Sequence, residues 1–280
     1  MPHTFVPGRI YRQPISFGPS LSPRQRPEGG GWGDDPSSHE NRSIWVTFRS
    51  DPEQLEGLLP PDFELEHPLV TVAATTMRNI NWLAGRGYNT LGVRIPARYC
   101  GKRDQVSGSF LAVLWENMAD PIITGREELG FPKVYGELPD VVVSGDGKHA
   151  SSAGLWDGFK FMDIEVSDLV EQPVSQAPDP SPPGLMYKYQ PRTGEWGAQP
   201  EVAYATLNPA AQPGAPAPRQ VLKQWTGRGR VAFYRATFQQ LPTLMNIVNG
   251  LADLEVGDIV GAGMQDTLGA SDISSQRALC

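Results

Sequence analysis

Cysteine is scarce: two occur in 280 residues, Cys100 and Cys280. That excludes a disulfide framework as the source of stability, and a reducing cytoplasm is the default compartment. Positive charge is also in short supply. Lys and Arg number 24 against 31 Asp and Glu, for a formal charge of −7, whereas a phosphate backbone calls for a basic surplus, so nucleic acid is not the expected partner. There is no apolar run of the about 18 residues that a transmembrane helix needs, so no membrane partner is expected. The N-terminal stretch MPHTFVPGRIYRQP lacks the apolar centre of a signal peptide. Histidine is sparse too. His3, His39, His67 and His149 have no metal-ligand spacing and read as ordinary surface residues. No metal site is expected.

What the chain does have is punctuation. Thirty glycines and 27 prolines favour many short elements joined by turns, hence a β-rich fold. Residues 1–40 read as an irregular N-terminal arm, rich in Gly, Pro, Ser and charge. Regular structure begins near Arg42. SIWVTF (43–48), LVTVAAT (69–75), TLGVRI (90–95) and SGSFLAVLWE (107–116) read as strands. A helix starts at Asp51, with Pro52 in its first turn and Gln54 three after the cap. DPIITGREELG (120–130) reads as a short helix capped by Asp120 and ended by Gly130. VVVSGDGKHA reads as a hairpin, FKFMDIEV (159–166) as a half-buried strand and LPTLMNIVNGL (241–251) as a late helix. EQPVSQAPDPSPPG (171–184) and NPAAQPGAPAP (208–218) read as proline-rich loops, too short to divide the chain. MYKYQP, GRVAFYRATF and GDIVGAGMQDTLGA supply the later strands, while WTGRGR (225–230) reads as a turn.

Familiar chemical motifs are missing. No serine sits in a nucleophile elbow, SGDGK lacks the first glycine of a phosphate loop, and GAGMQD has Asp266 where a dinucleotide fingerprint needs glycine. One stretch stands out, GREELGFPK (125–133). It sets Lys133 after a helix-ending glycine, an aromatic ring and a rigid proline, with Val134 and Tyr135 following. A lysine there has two readings. One is a surface charge that favours the negative end of a helix. The other is a desolvated amine, neutral enough to attack a ketone and form a Schiff base.

GREELGFPK resembles the active-site segment of the acetoacetate decarboxylase family: Gly-Arg-Glu, then an aromatic residue, proline and the Schiff-base lysine. NRSIWVTFRSDPEQLEGLLPPDFELEHPLV, MYKYQP and WTGRG resemble further blocks of that family in the same order, so the likeness covers roughly residues 41–270. It implies an α+β fold, mainly antiparallel β: a cone or barrel-like sheet with a few short helices, assembled into homo-oligomers. The implied domains are the arm 1–40, the family domain 41–270 and a C-terminal tail 271–280. The implied catalytic residue is Lys133. Arg42 falls at the family's substrate-side arginine, whose planar fork suits a carboxylate. Arg126 and Glu127 match the Gly-Arg-Glu segment and are expected to hold the loop. No cofactor is implied.

The departures are equally informative. The family's second lysine is Val134 here, and Ala73 and Thr90 stand where two pocket glutamates are expected. Phe131, Trp115 and Met264 are candidate substrate-binding residues, and Trp82 is a further large side chain near the pocket strands. Glu116, Gln265 and Asp266 are candidate acid–base partners. The expected activity is a carbon–carbon lyase acting on a keto acid, with decarboxylation of a β-keto acid foremost. Its alternative is aldol addition and dehydration on a 2-keto acid plus an aldehyde. A non-catalytic small-molecule binder on the same scaffold is the second class of reading.

Overall fold

The computed structural model describes residues 4–21, 23–30, 38–174, 182–210, 219–270, 273 and 275–280. Parts of the arm and of both proline-rich loops lie outside these, as does His3.

The strands are β1 (Glu40–Arg49), β2 (Phe63–Leu65), β3 (Leu69–Ile80), β4 (Arg86–Cys100), β5 (Gln105–Glu116), β6 (Lys133–Tyr135), β7 (Val142–Val143), β8 (His149–Trp156), β9 (Phe159–Gln172), β10 (Gly184–Gln190), β11 (Val202–Asn208), β12 (Arg219–Phe233), β13 (Ile259–Gly269) and β14 (Arg277–Ala278). Helices are few and short: α1 (Pro52–Glu56), α2 (Ala119–Thr124) and α3 (Met245–Ala252). All strands join one sheet, ordered β14-β11-β10-β5-β4-β3-β1-β13-β12-β9-β8-β7, with β2 beside β4 and β6 beside β5. Every pairing is antiparallel except β5 with β6 and β5 with β10. The expected mainly antiparallel α+β architecture is therefore what the chain adopts.

The sheet curls, so that strands far apart in its order share one apolar core. Ile44, Val46 and Phe48 of β1, Val70 and Val72 of β3, and Leu91, Val93 and Ile95 of β4 meet Phe161, Ile164 and Val166 of β9 there. Side chains alternate between faces along a strand. The core thus takes the even-numbered residues of β1 and β3 and the odd-numbered ones of β4. The opposite face of these strands carries the site described below.

Local chemistry explains the elements. Asp51 accepts a hydrogen bond from the Gln54 backbone N–H at 2.9 Å and so caps α1. The segment 120–130 differs from expectation. It is an α-turn, Ala119–Thr124, followed by a π-turn, Gly125–Leu129, and Met118 rather than Asp120 stands at its start without a side-chain cap. Gly130 ends it at φ 77°, a left-handed conformation that glycine adopts without cost. WTGRGR is strand rather than turn, lying inside β12. Its glycines serve close approach: a Cβ on Gly229 would sit 2.7 Å from the Ala262 Cβ and 2.8 Å from Val46. His39 is buried, unlike the surface histidine expected.

The two ends of the chain pack on its body. Arg24 donates to Glu128 from two nitrogens, at 2.8 and 2.5 Å, and Arg12 lies against Glu128 and Thr124. The arm therefore rests on the π-turn of its own chain. At the other end, β14 pairs with β11, and the Cys280 carbonyl accepts from the backbone N–H groups of Arg103 and Asp104. No helix among the described residues is long and apolar enough to cross a membrane.

Candidate active site

The β5–α2–β6 crossover places Lys133. Strand β6 lies parallel to β5, with Lys133 opposite Leu114 and Tyr135 opposite Glu116. Pro132 lends its carbonyl to the Leu114 N–H at 3.1 Å, which docks the segment. The Arg126 guanidinium donates to the Lys133 carbonyl at 2.8 Å. Glu127 contributes its carbonyl, which accepts from Lys188 Nζ at 2.6 Å, while the residue itself is exposed. Arg126 and the Glu127 backbone thus both tie the loop down.

The Lys133 side chain turns under α2. Its Nζ donates to the Pro121 carbonyl at 3.1 Å and lies 5.1 Å from the centre of the Phe131 ring. It also meets Glu116 Oε1 at 2.9 Å. Only 9% of the lysine side chain and 1% of the glutamate side chain are exposed. Glu116 Oε2 has no hydrogen-bond partner among the described residues. Burial pushes the Glu116 carboxyl above its ordinary range, and the nearby ammonium opposes that push. The contact puts the Glu116 carboxylate within proton-transfer reach of the lysine amine.

Gly125 makes this geometry possible. A Cβ there would stand 2.5 Å from Lys133 Cδ, 2.6 Å from Cε and 2.8 Å from Nζ. Gly125→Ala should therefore drive the amine off Glu116 while leaving the sheet intact. Imine trapping by borohydride should slow by about 100-fold, the scale of a 1 Å misplacement. Unchanged trapping would show that the amine has room to spare.

Register shows what else shares this face. One cross-strand row runs Trp45, Ala73, Gly92, Leu114 and Lys133, from β1 to β6. The next row, towards the end of β5, holds Ser43, Thr75, Thr90 and Glu116. Ser43 and Thr75 hydroxyls are 2.8 Å apart. Ala73 and Thr90 therefore lie in the rows of Lys133 and Glu116, on their face. Two residues before Thr90 is Tyr88, whose phenol is raised above its ordinary value, first by burial and then by the Glu116 charge. It stays protonated and can donate. Tyr88 and Trp45 were not singled out from sequence; only the register brings them here.

Other candidates lie elsewhere. Trp115 and Met264 belong to the apolar core on the opposite face, a correction to their assignment as substrate contacts. Trp115 is fully buried, its ring 4.9 Å from that of Phe161. Trp115→Ala should cost about 3–5 kcal/mol of stability through the cavity it leaves, measured by urea denaturation. A cost under about 1 kcal/mol would contradict a core role. Trp82 sits in the turn between β3 and β4. Arg42 has the parity of the core face and grips Asp266 through two hydrogen bonds of 2.7 Å each. With Thr76, Arg78 and Asp140 it lines a separate cleft of about 450 Å³. The structure thus gives Arg42 a carboxylate partner of its own, away from Lys133. Gln265 lies across from Ser43 and Asp266 across from Arg42; neither touches the lysine, whereas Glu116 does.

Comparison with known proteins follows the same lines. The family profile described as acetoacetate decarboxylase matches residues 19–264. The chain is 33% identical over 99 residues to acetoacetate decarboxylase 2 of Mesorhizobium japonicum, covering 35% of this chain and 36% of that protein. It is 29% identical over 154 residues to acetoacetate decarboxylase of Bordetella avium, covering 52% and 56%. The alignments thus span about half or less of these curated relatives. Among solved structures, the enduracididine biosynthesis enzyme MppR complexed with pyruvate superposes with a TM-score of 0.62 at 16% identity, over 86% of this chain and 89% of that one. That likeness concerns the fold. With the profile spanning most of the sequence, the chain belongs to the acetoacetate decarboxylase family.

Proposed function

We propose that the protein is a lyase that forms a Schiff base between Lys133 and a keto acid, and that it decarboxylates a β-keto acid. The observation that carries this reading is the enclosed 2.9 Å contact between Lys133 Nζ and Glu116 Oε1. In the family pattern, carboxylates come from positions held here by Ala73 and Thr90. Glu116, from the neighbouring strand β5, supplies one on the same face.

The chemistry follows from that pair. Glu116 takes a proton from Lys133, which burial of the carboxyl favours. The free amine adds to the ketone carbon. Protonated Glu116 returns the proton to the carbinolamine oxygen, and water leaves. The resulting iminium draws in the electron pair of the bond to the carboxylate, carbon dioxide departs, and an enamine remains. A proton reaches the enamine carbon, and water hydrolyses the new iminium to a ketone, freeing Lys133. One proton is consumed and one carbon dioxide released per turn.

A second reading has its own support. The carboxylate beside the amine can instead remove a proton from the carbon next to the iminium, and Ala73 leaves the facing position small. That arrangement suits addition to an aldehyde followed by loss of water. One assay separates the two. β-Keto acids are supplied and carbon dioxide is measured; pyruvate with an aromatic aldehyde is supplied and the absorbance of a conjugated product is followed. Carbon dioxide release lost in Lys133→Ala supports the first reading. A conjugated product without carbon dioxide release replaces it with the second. Binding with neither product makes the chain a small-molecule binder.

A further inference from the structure

The face that holds Lys133 also holds an arginine with no hydrogen-bond partner among the described residues. Arg94 lies on β4 opposite Thr71 of β3, and on its other side opposite Leu111 of β5. The Thr71 hydroxyl is 2.9 Å from that of Thr47 on β1. The Leu111 side chain reaches over Gly92, which belongs to the Lys133 row. These contacts fix the face: Arg94 stands one row from Lys133, on the side away from Glu116. Among the described residues, no carboxylate, carbonyl or hydroxyl accepts from its guanidinium. A partly desolvated cation without a counter-charge is unfavourable, and such groups are ordinarily paired. Burial pulls its pKa below the ordinary arginine value with no acidic neighbour to oppose it. Arg94 nevertheless keeps an intermediate exposure, so its guanidinium is not sealed from solvent.

We propose that Arg94 is the anchor for the substrate carboxylate in the Lys133 site, in place of Arg42, whose fork is already taken by Asp266. The inference rests on the keto-acid reading above. Two residues along β4 and two strands across give about 12 Å between the Arg94 and Lys133 backbones. The two long cationic side chains rise from one face, and a short keto acid can span the distance between them. Glu116 and Arg94 then flank the amine from opposite rows. The anionic end is drawn to Arg94 and kept from Glu116, which puts the ketone carbon at the lysine. A planar guanidinium can hold both carboxylate oxygens, which a lysine cannot.

The test uses butanoate, which carries the carboxylate but no ketone, so its binding is independent of imine formation. Titration calorimetry on the full chain should show butanoate bound by wild type. Binding should weaken by about 30-fold or more in Arg94→Met and less in Arg94→Lys, consistent with loss of charged hydrogen bonds. Arg94→Met should also melt about 2–4 °C higher, because it removes a half-buried unpaired charge. A purely structural arginine would give the opposite shift. Equal binding by wild type and Arg94→Met, or none by wild type, overturns the proposal. So does an Arg94→Met chain that melts lower or fails to fold, since the arginine would then have a structural role. If butanoate behaves as expected while no ketone is ever trapped, the anchor stands and the Schiff-base reading falls.

Discussion

Replacing Lys133 by alanine is expected to lower turnover by on the order of 10⁴-fold or more, and arginine at the same position should do no better. No other amine replaces it: Lys188, the other lysine near the loop, is engaged by the Glu127 carbonyl. The substitution has a second consequence, on stability. Glu116 keeps its buried place but loses its counter-charge. Its folded pKa already lies above the ordinary value because of burial, and without the ammonium it rises further. A folded state that holds a proton more tightly than the unfolded one loses stability as pH rises. The window opens at the ordinary carboxylate range and closes at the raised folded value. Lys133→Met should therefore be destabilised more at pH 8 than at pH 5, by about 3 kcal/mol at the alkaline end. Urea denaturation at the two pH values measures this. A variant equally stable at both would mean that Glu116 is not enclosed with the lysine.

Glu116→Gln carries the second large effect. The amide keeps the shape but cannot take the lysine proton, so kcat/KM should fall by about 10²–10⁴-fold, the usual share of a positioned acid–base group. The pH profile distinguishes this role from simple packing. With Glu116 to take the proton, imine formation in the wild type should vary less with pH. In Glu116→Gln the amine must give its proton to solvent, so trapping should quicken steadily as pH rises. A uniformly slow variant with the wild-type profile would contradict a proton-transfer role. Glu116→Ala, which opens space as well, should share the altered profile.

Much of this was legible in the sequence, and the limits have a physical cause. Helix α1 was readable because Asp51, Pro52 and Gln54 act through local backbone geometry. The strand cores were readable as apolar runs, and the mainly antiparallel sheet followed from them and from the family likeness. Facing was not readable. In LAVLWE, Trp115 and Glu116 are neighbours, both buried, on opposite faces. A strand covered on both faces shows no alternation of polarity, and alternation is the only facing signal that a single strand gives. Hence the sequence points to Trp115 and Met264 as substrate contacts, and leaves Glu116 as one of three candidate acid–base partners beside Gln265 and Asp266. Arg94 was hidden likewise. Within TLGVRI it looks like a charge at a strand end, and only its pairing with Thr71 and Leu111 puts it beside the lysine row. The break of the 120–130 helix into a π-turn was also unreadable; it begins at Gly125, where Lys133 packs close through a tertiary contact that local sequence does not show.

The central claim is that Lys133 is an enclosed nucleophilic amine, and one measurement addresses it directly. The protein is incubated with a β-keto acid or with pyruvate, reduced with borohydride, digested and read by peptide mass spectrometry. The account predicts a single adduct on the peptide carrying Lys133, absent in Lys133→Ala and slowed in Gly125→Ala. Adducts spread over exposed lysines such as Lys102 and Lys148, with Lys133 unmodified, would contradict it.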